Sequence, residues 1–290
     1  MKERLLSLIK TDFPAIEINQ TELASNGWDH DVVIVNDEIV FRFPRDGETF
    51  LDIEVAVLDR LCGKTTLAIP KIEFRGQSAL YVGYRKVRGS ELTPEVYARL
   101  TPNQQAAVAR DLATFLHEVH RELSVPTARQ LGVRVDNPHE PLTESLPLLT
   151  RLDDREIIGF LEATFAELEE MLATPGPESF LYNDLHGDNM GFDVAAGRLN
   201  GIFDFGDIAI GDLHREFGPL YRLDKRLLEA TVRDFSAMTG ISLSLRRIVM
   251  IQRLDRISDL AMVIVEPDHP EPPRVFAELR EWIREADIYR

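Results

Sequence analysis

The sequence predicts an α+β fold in two lobes: an N-terminal antiparallel sheet carrying one helix, then a larger, mainly helical C-terminal lobe. Three observations carry the prediction. β-Branched and aromatic runs crowd the first ninety residues. Helical periodicity with capping signals takes over after "VRGSELTP" at 87–94. One β-like island, "MGFDV" and "RLNGIF" around "AAG", interrupts the helical part.

Taken in order, "DVVIV" (31–35) and "IVFRF" (39–43) flank the turn "NDE" and read as a hairpin. "TFLDIEVAVLDRLCG" follows, with Leu51, Val55, Leu58 and Cys62 at helical spacing and Gly63 as the stop. "KIEFRG" and "LYVGYRKV" read as two further strands. Beyond the shift in character, Thr101-Pro102-Asn103-Gln104 is a capping box with proline at the first helical position, opening a helix to about Leu123. A second helix spans about 155–173 and stops at "PGPE"; periodic segments after 213 suggest three or four more, around a loop "EPDHPEPP". The expected division is residues 1–88 with the hinge, then 89–290.

Composition narrows the function classes. The chain has 33 Lys and Arg against 49 Asp and Glu, a net charge of −16. That field repels nucleic acid and anionic membranes and attracts cations, so a small cationic substrate fits and a nucleic-acid partner does not. No apolar run approaches the roughly 18 residues of a membrane span, and the start of the chain is too interrupted for a signal peptide. The single cysteine, Cys62, excludes an internal disulfide framework and points to a reducing cytoplasm. A monomer is expected.

The chemistry gathers in "FLYNDLHGDNMGFD" (180–193) and "GIFDFGDIAIGD" (201–212), where polar residues are framed tightly by apolar ones. If Ala196 and Gly197 centre the hairpin turn, Asn189 falls opposite Asp204, and opposed α-carbons lie only about 4.5–5.5 Å apart. An amide and a carboxylate there suit a hard cation such as Mg²⁺, and Asp184, on the feeding loop, would stand beside it. This is what phosphoryl transfer needs: ligands for a metal on nucleotide phosphates, and a separate carboxylate for the attacking hydroxyl. D-x-x-x-x-N followed fifteen residues later by D-F-G resembles the catalytic-loop and metal-binding elements of protein kinases. Arg42 stands in the place of the phosphate-pairing lysine, and Glu54 is placed to orient it. "LASNGWDHD" (23–31) would cover the nucleotide, with Gly27 its one glycine. Asp188, Glu216, Glu266 and Asp268 are acidic candidates for a cationic substrate. His186 has no second histidine at zinc-ligand spacing and reads as a loop-structuring or substrate-side residue.

Through "FRFPR", "KVRGSEL", "LATFLHEVH", "LYNDLHGDN" and "GIFDFGDIAIGD" the chain resembles the kinase-like aminoglycoside phosphotransferases, nearest the 2''-phosphotransferases. The resemblance implies a protein-kinase-like fold and transfer of the γ-phosphate of ATP or GTP to an aminoglycoside hydroxyl, an antibiotic-resistance activity. It implies Asp184 as catalytic base, Asn189 and Asp204 as Mg²⁺ ligands with Asp207 assisting, and Arg42 with Glu54 as the phosphate-orienting pair. A hinge at Tyr84 to Val87, including Lys86, would face the purine. Asp212 and Glu216 match an acidic pair after the metal motif. Tyr182 replaces the family's usual histidine, and Arg222, Lys225 and Arg226 fall where its members carry substrate-facing acids. The residues also leave open a kinase for an amino-alcohol or sugar, a nucleotide-binding pseudokinase that regulates a partner, and a metal-dependent hydrolase.

Overall fold

A computed structural model of the chain describes residues 1–24, 30–45, 50–137 and 154–265, with positions 143, 145, 147, 276, 277, 280 and 281. Five antiparallel strands form the N-terminal sheet in the order β1-β2-β3-β5-β4: β1 Thr21–Ala24, β2 His30–Val35, β3 Ile39–Pro44, β4 Ile72–Arg75 and β5 Val82–Arg85. Asn36 and Asp37 both take φ of 54° between β2 and β3, the left-handed pair that matches the twist of a tight hairpin. Asn and Asp tolerate that region better than most residues, so "ND" fixes the register.

The two faces of this sheet do different work. Val33, Val35, Ile39, Phe41, Phe43 and Tyr81 are buried on one face against Leu5 and Ile9 of helix α1 (Lys2–Asp12). That helix is a departure from the one-helix expectation. Its apolar stripe is short, and only Leu5 and Ile9 are buried, so its periodicity is faint. Helix α2 (Phe50–Leu61) covers the other face, packing Leu51 and Val55 on Val82. Arg42 pairs across the ladder with Val82 and so shares that face. Cys62, expected on the apolar stripe of α2, lies just past the helix end and is exposed.

In the helical part, α3 (Pro94–Ala98) leads to α4 (Pro102–Glu122), which opens on the expected capping box: Thr101 and Gln104 satisfy each other's main-chain N–H. Short α5 spans Val125–Gln130, and α6 runs Arg155–Leu172 as expected. Then come β6 (Glu178–Leu181), β7 (Met190–Asp193), β8 (Arg198–Ile202) and β9 (Ala209–Asp212). Helices α7 (Leu220–Leu223), α8 (Lys225–Thr239) and α9 (Leu245–Val265) follow. α4 packs against α8, and α6 against α9. β6 pairs with β9, and β7 with β8.

One core cluster reaches from Leu58 and Leu61 of α2 through α4 to Phe180, Tyr182, Leu185, Met190, Phe192, Ile202 and Phe205. These are the apolar residues that frame the polar motifs. Each large buried side chain stabilises by about 1.5–3 kcal/mol, so the loops between them hang from anchored points. Among the described residues no helix is long and apolar enough to cross a membrane.

The β7–β8 hairpin corrects the expected register. Met190 pairs with Ile202 and Gly191 with Gly201, then a bulge shifts the ladder so that Asp193 pairs with Arg198. The turn is Val194–Gly197, closed by Gly197 at φ 65°. Asn189 therefore faces Phe203, whose N–H donates to its carbonyl at 3.0 Å, and Asp204 lies one residue further on. Both outer edges of the hairpin are covered. Ser90 and Phe192 exchange N–H···O bonds of 2.9 and 2.8 Å, while Ala68 bonds Asn200 and Ile202 at 3.0 and 2.9 Å. Gly89 makes the first crossing possible: its φ is 128°, and a Cβ there would meet Phe192 N at 2.4 Å.

Candidate active site

The site is built where β6, the β7–β8 hairpin and the Arg42 face of the sheet converge. Asp184 follows β6 on a loop whose direction is set by Asn183 at φ 68°, a left-handed position that Asn adopts at low cost. Asn183 is held on both sides of its amide. Its nitrogen donates to Asp207 O at 3.1 Å, and its oxygen accepts Arg215 Nε at 3.0 Å. Arg215 is in turn fixed by Asp255 at 2.8 Å.

Both oxygens of Asp184 are engaged. Asn189 Nδ2 donates to Oδ2 at 2.5 Å, and His186 Nε2 lies 2.7 Å from Oδ1. A carboxylate offers about four lone-pair directions, so a hydroxyl can still donate to it. Burial opposes charge on His186, but the hydrogen bond and charge of Asp184 outweigh it and raise the imidazole above its ordinary value. Asp188 is 4.0 Å from His186 and largely exposed.

Asp204 sits at φ 62° just past the hairpin, which turns its carboxylate toward the sheet. Its Oδ1 accepts Arg42 Nη2 at 3.0 Å and the Gly206 N–H at 3.4 Å. Arg42 Nη1 bonds Glu54 of α2, and both side chains are buried. Burial acts against the Arg42 charge, yet Glu54 and Asp204 together hold the guanidinium well above its ordinary range, so it stays ionised. The sequence-predicted pair is thus formed and tied directly to the hairpin. His30, at the start of β2, adds a contact the sequence reading missed: its Nδ1 lies 3.3 Å from Arg42 Nη2.

The oxygens present suit a hard cation. Asn189 gives its nitrogen to Asp184, which leaves Oδ1 as its ligating atom, and Asp204 carries a second carboxylate oxygen beyond the one bonded to Arg42. Among the described residues no three His, Cys, Asp or Glu side chains converge on one point. That fits Mg²⁺, which takes few protein ligands and completes its shell with water and phosphate, and does not fit a zinc cage.

Several expectations are corrected. Glu216 is fully buried, out of reach of a substrate. Its carboxylate instead accepts the N–H groups of Tyr182 at 2.8 Å and Asn183 at 3.1 Å, directly beneath Asp184. The carboxylate of Asp207, expected to assist at the metal, is half exposed and 3.5 Å from Arg134 Nη2. The Tyr84 side chain is buried beside Arg42, and the Lys86 N–H donates to Glu38 O at 2.8 Å, so that hinge N–H is already used within the sheet. Gly27, Glu266 and Asp268 lie outside the described residues. Tyr182, in the place of a histidine, donates its hydroxyl to Phe203 O at 2.5 Å and so ties β6 to the hairpin end.

Glu216→Ala would orphan two buried N–H groups at a cost of about 1–3 kcal/mol each. The expected result is a lower unfolding free energy in urea with kcat falling more than the nucleotide KM changes. Wild-type stability in that variant would remove Glu216 from beneath the loop.

Comparison with known proteins agrees with this architecture. Residues 20–247 match the model of the phosphotransferase enzyme family. The GDP complex of a point variant of aminoglycoside 2'-phosphotransferase-IIIa is 25% identical, with a TM-score of 0.86 and 99% of each chain covered. The GDP and kanamycin complex of APH(2")-IIIa is 24% identical, with a TM-score of 0.85 over 98% of this chain and 99% of that one. The macrolide 2'-phosphotransferase MphH from Brachybacterium faecium is 15% identical, with a TM-score of 0.68 over 96% of this chain and 97% of that one. The last two speak to the fold, which is the kinase-like one.

Proposed function

The chain belongs to the phosphotransferase enzyme family, and from that premise we propose that it moves the γ-phosphate of ATP or GTP to a hydroxyl of an aminoglycoside. The observation that carries the reading is the Asp184 carboxylate, held by Asn189 and His186 beside an Asp204 already bonded to the Arg42–Glu54 pair. The net charge of −16 supports a cationic acceptor. So does the kanamycin in one similar structure, and the GDP there supports a purine nucleotide donor. The acidic surface and single cysteine support a cytoplasmic monomer, with the nucleotide lobe ending near residue 88.

In this reading the nucleotide lies between the Arg42 face of the sheet and the β7–β8 hairpin. Arg42 directs N–H groups at phosphate oxygens while Glu54 keeps its fork in one orientation. Asp184 accepts the hydrogen bond of the acceptor hydroxyl, aims it in line at the γ-phosphorus and takes its proton as the bond forms. Asn189 and His186 keep that carboxylate from rotating away, so much of the rate comes from positioning. Asn189 and Asp204 would hold Mg²⁺, which when bound neutralises charge on the phosphates.

One observation favours a second reading, a kinase for a metabolite such as an amino-alcohol or sugar. Arg222 is exposed and near enough to His186 to act on its charge, so a cation stands beside the acceptor side. A coupled nucleotide-turnover assay with Mg²⁺, run with ATP and GTP against aminoglycosides, macrolides and amino-alcohols, separates the two. Stimulation by an aminoglycoside, abolished by EDTA, is the expected result. Turnover with amino-alcohols alone transfers the assignment to the second reading.

A further inference from the structure

Two consecutive residues of the 3₁₀ turn Leu213–Phe217 hold Asn183, Glu216 by its main chain and Arg215 by its side chain. We propose that Arg215 is a positioning residue for the transfer step: it fixes the Asn183 amide, and thereby the direction in which Asp184 presents its carboxylate. The proposal rests on the phosphotransferase reading above.

The partners of Asn183 settle which way its amide points. A guanidinium only donates and a main-chain carbonyl only accepts. The amide oxygen therefore faces Arg215 Nε at 3.0 Å, and the amide nitrogen faces Asp207 O at 3.1 Å. Asn183 has φ 68°, a conformation that asparagine tolerates but that its surroundings must hold in place. A return to extended backbone there would swing the next residue, Asp184, away from Asn189 and His186.

Arg215 is itself pinned from two further segments. Its Nη2 donates to Asp255 Oδ1 of α9 at 2.8 Å. Its Nη1 lies 3.7 Å from Asp136 Oδ2 in the segment after α5, a charge contact longer than a hydrogen bond. Asp136 is anchored in turn, its N–H donating to Ile210 O of β9 at 2.8 Å. The Arg215 side chain is 16% exposed, so water screens these contacts little. Burial opposes its charge, but Asp255, Asp136 and Asp207 together raise the guanidinium above its ordinary range, so it stays ionised. A planar fork serves three directions at once; the compact ammonium of a lysine does not. Helix α9, the segment after α5 and the loop of the base are thus joined through one side chain, which acts on Asp184 through Asn183.

The test is a double-mutant cycle in the coupled turnover assay with the same acceptor panel, paired with calorimetric titration by a non-hydrolysable Mg²⁺-triphosphate analogue. Arg215→Gln is expected to lower kcat about 10- to 100-fold, the effect of a slightly misplaced reacting group, with triphosphate affinity and acceptor KM within about threefold of wild type. Arg215→Lys keeps a cation between Asp255 and Asp136 and loses the fork. Its kcat should fall too, while its melting temperature stays nearer wild type, so the cycle can be run with it where Arg215→Gln does not fold. Asn183→Gly keeps the left-handed backbone and removes the side chain that Arg215 holds. In that background the Arg215 substitution should lower kcat by no more than about threefold further, because residues that act through one another are not additive. Asn183→Ala, which must adopt the left-handed φ without either amide bond, should turn over more slowly than Asn183→Gly. Full multiplication of the two losses would overturn the proposal and leave Arg215 as a structural member of the ion pairs. A kcat within about threefold of wild type in either Arg215 variant would overturn it too. A wild-type chain that turns over no member of the panel removes the phosphotransferase reading and the proposal with it, whereas turnover with multiplied losses removes the role of Arg215 alone.

Discussion

Replacing Asp184 with alanine is expected to lower kcat on the order of 10²–10⁴-fold, the contribution of a positioned general base, while nucleotide affinity stays within a factor of a few. The split follows from geometry. Asp184 touches Asn189 and His186, whereas the Arg42 and Asp204 contacts that would hold the donor are separate from it. Asp184→Asn refines the result, because it keeps the size of the side chain and one acceptor oxygen beside Asn189 and His186 while losing the charge and the basicity. It should turn over as poorly as the alanine variant. Stopped-flow transfer assays paired with nucleotide titration read both quantities. A kcat within tenfold of wild type in either variant would remove Asp184 from its role.

Glu54→Ala is expected to cost about 3–5 kcal/mol of folding stability, the usual penalty for leaving one member of a buried ion pair without its partner. Arg42 and Glu54 are 4% and 4% exposed, so water does not take over the lost contact. Asp204 remains as a counter-charge 3.0 Å from Arg42, and the fork would swing toward it. The nucleotide KM should therefore rise together with the loss of stability. Glu54→Gln keeps the shape and one acceptor, and should fall between the two. Urea unfolding with a fixed m-value measures the term; a loss under 1 kcal/mol would show that Asp204 alone is a sufficient partner.

The parts of this site that were legible in the sequence are those encoded by local pattern. The spacing of Asp184, Asn189 and Asp204 was readable because apolar residues frame each polar run, and those residues are the buried anchors found in the core. Arg42 and Glu54 were readable because a strand and the next helix place them on facing surfaces. What was not legible depended on register or on distant donors. The hairpin turn holds four residues and the ladder carries a bulge, which a period-two count does not encode, so Asn189 and Asp204 were matched one residue out. Glu216 looked like a substrate-facing acid, yet the two N–H groups that justify its burial belong to residues more than thirty positions earlier. His30 lay in the segment read as covering the nucleotide, but its contact with Arg42 depends on the pairing of β2 with β3, which no local pattern encodes.

The double-edged stitching of the β7–β8 hairpin also orders the events of synthesis. Its outer partners are made long before the strands they border, Ser90 about 100 residues before Phe192 and Ala68 about 130 before Asn200 and Ile202. At about 5–20 residues per second, the N-terminal sheet and the segments after it leave the ribosome roughly 5–27 s before the hairpin arrives. During that interval Ala68 and Ser90 lack their final hydrogen-bond partners, and Leu58 and Leu61 of α2 lack much of the core they will join. Closing loops of this length is slow and entropically unfavourable. The N–H and C=O groups that seat the hairpin are thus an exposed template early in the chain's life, and completing the catalytic centre is the same event as covering it.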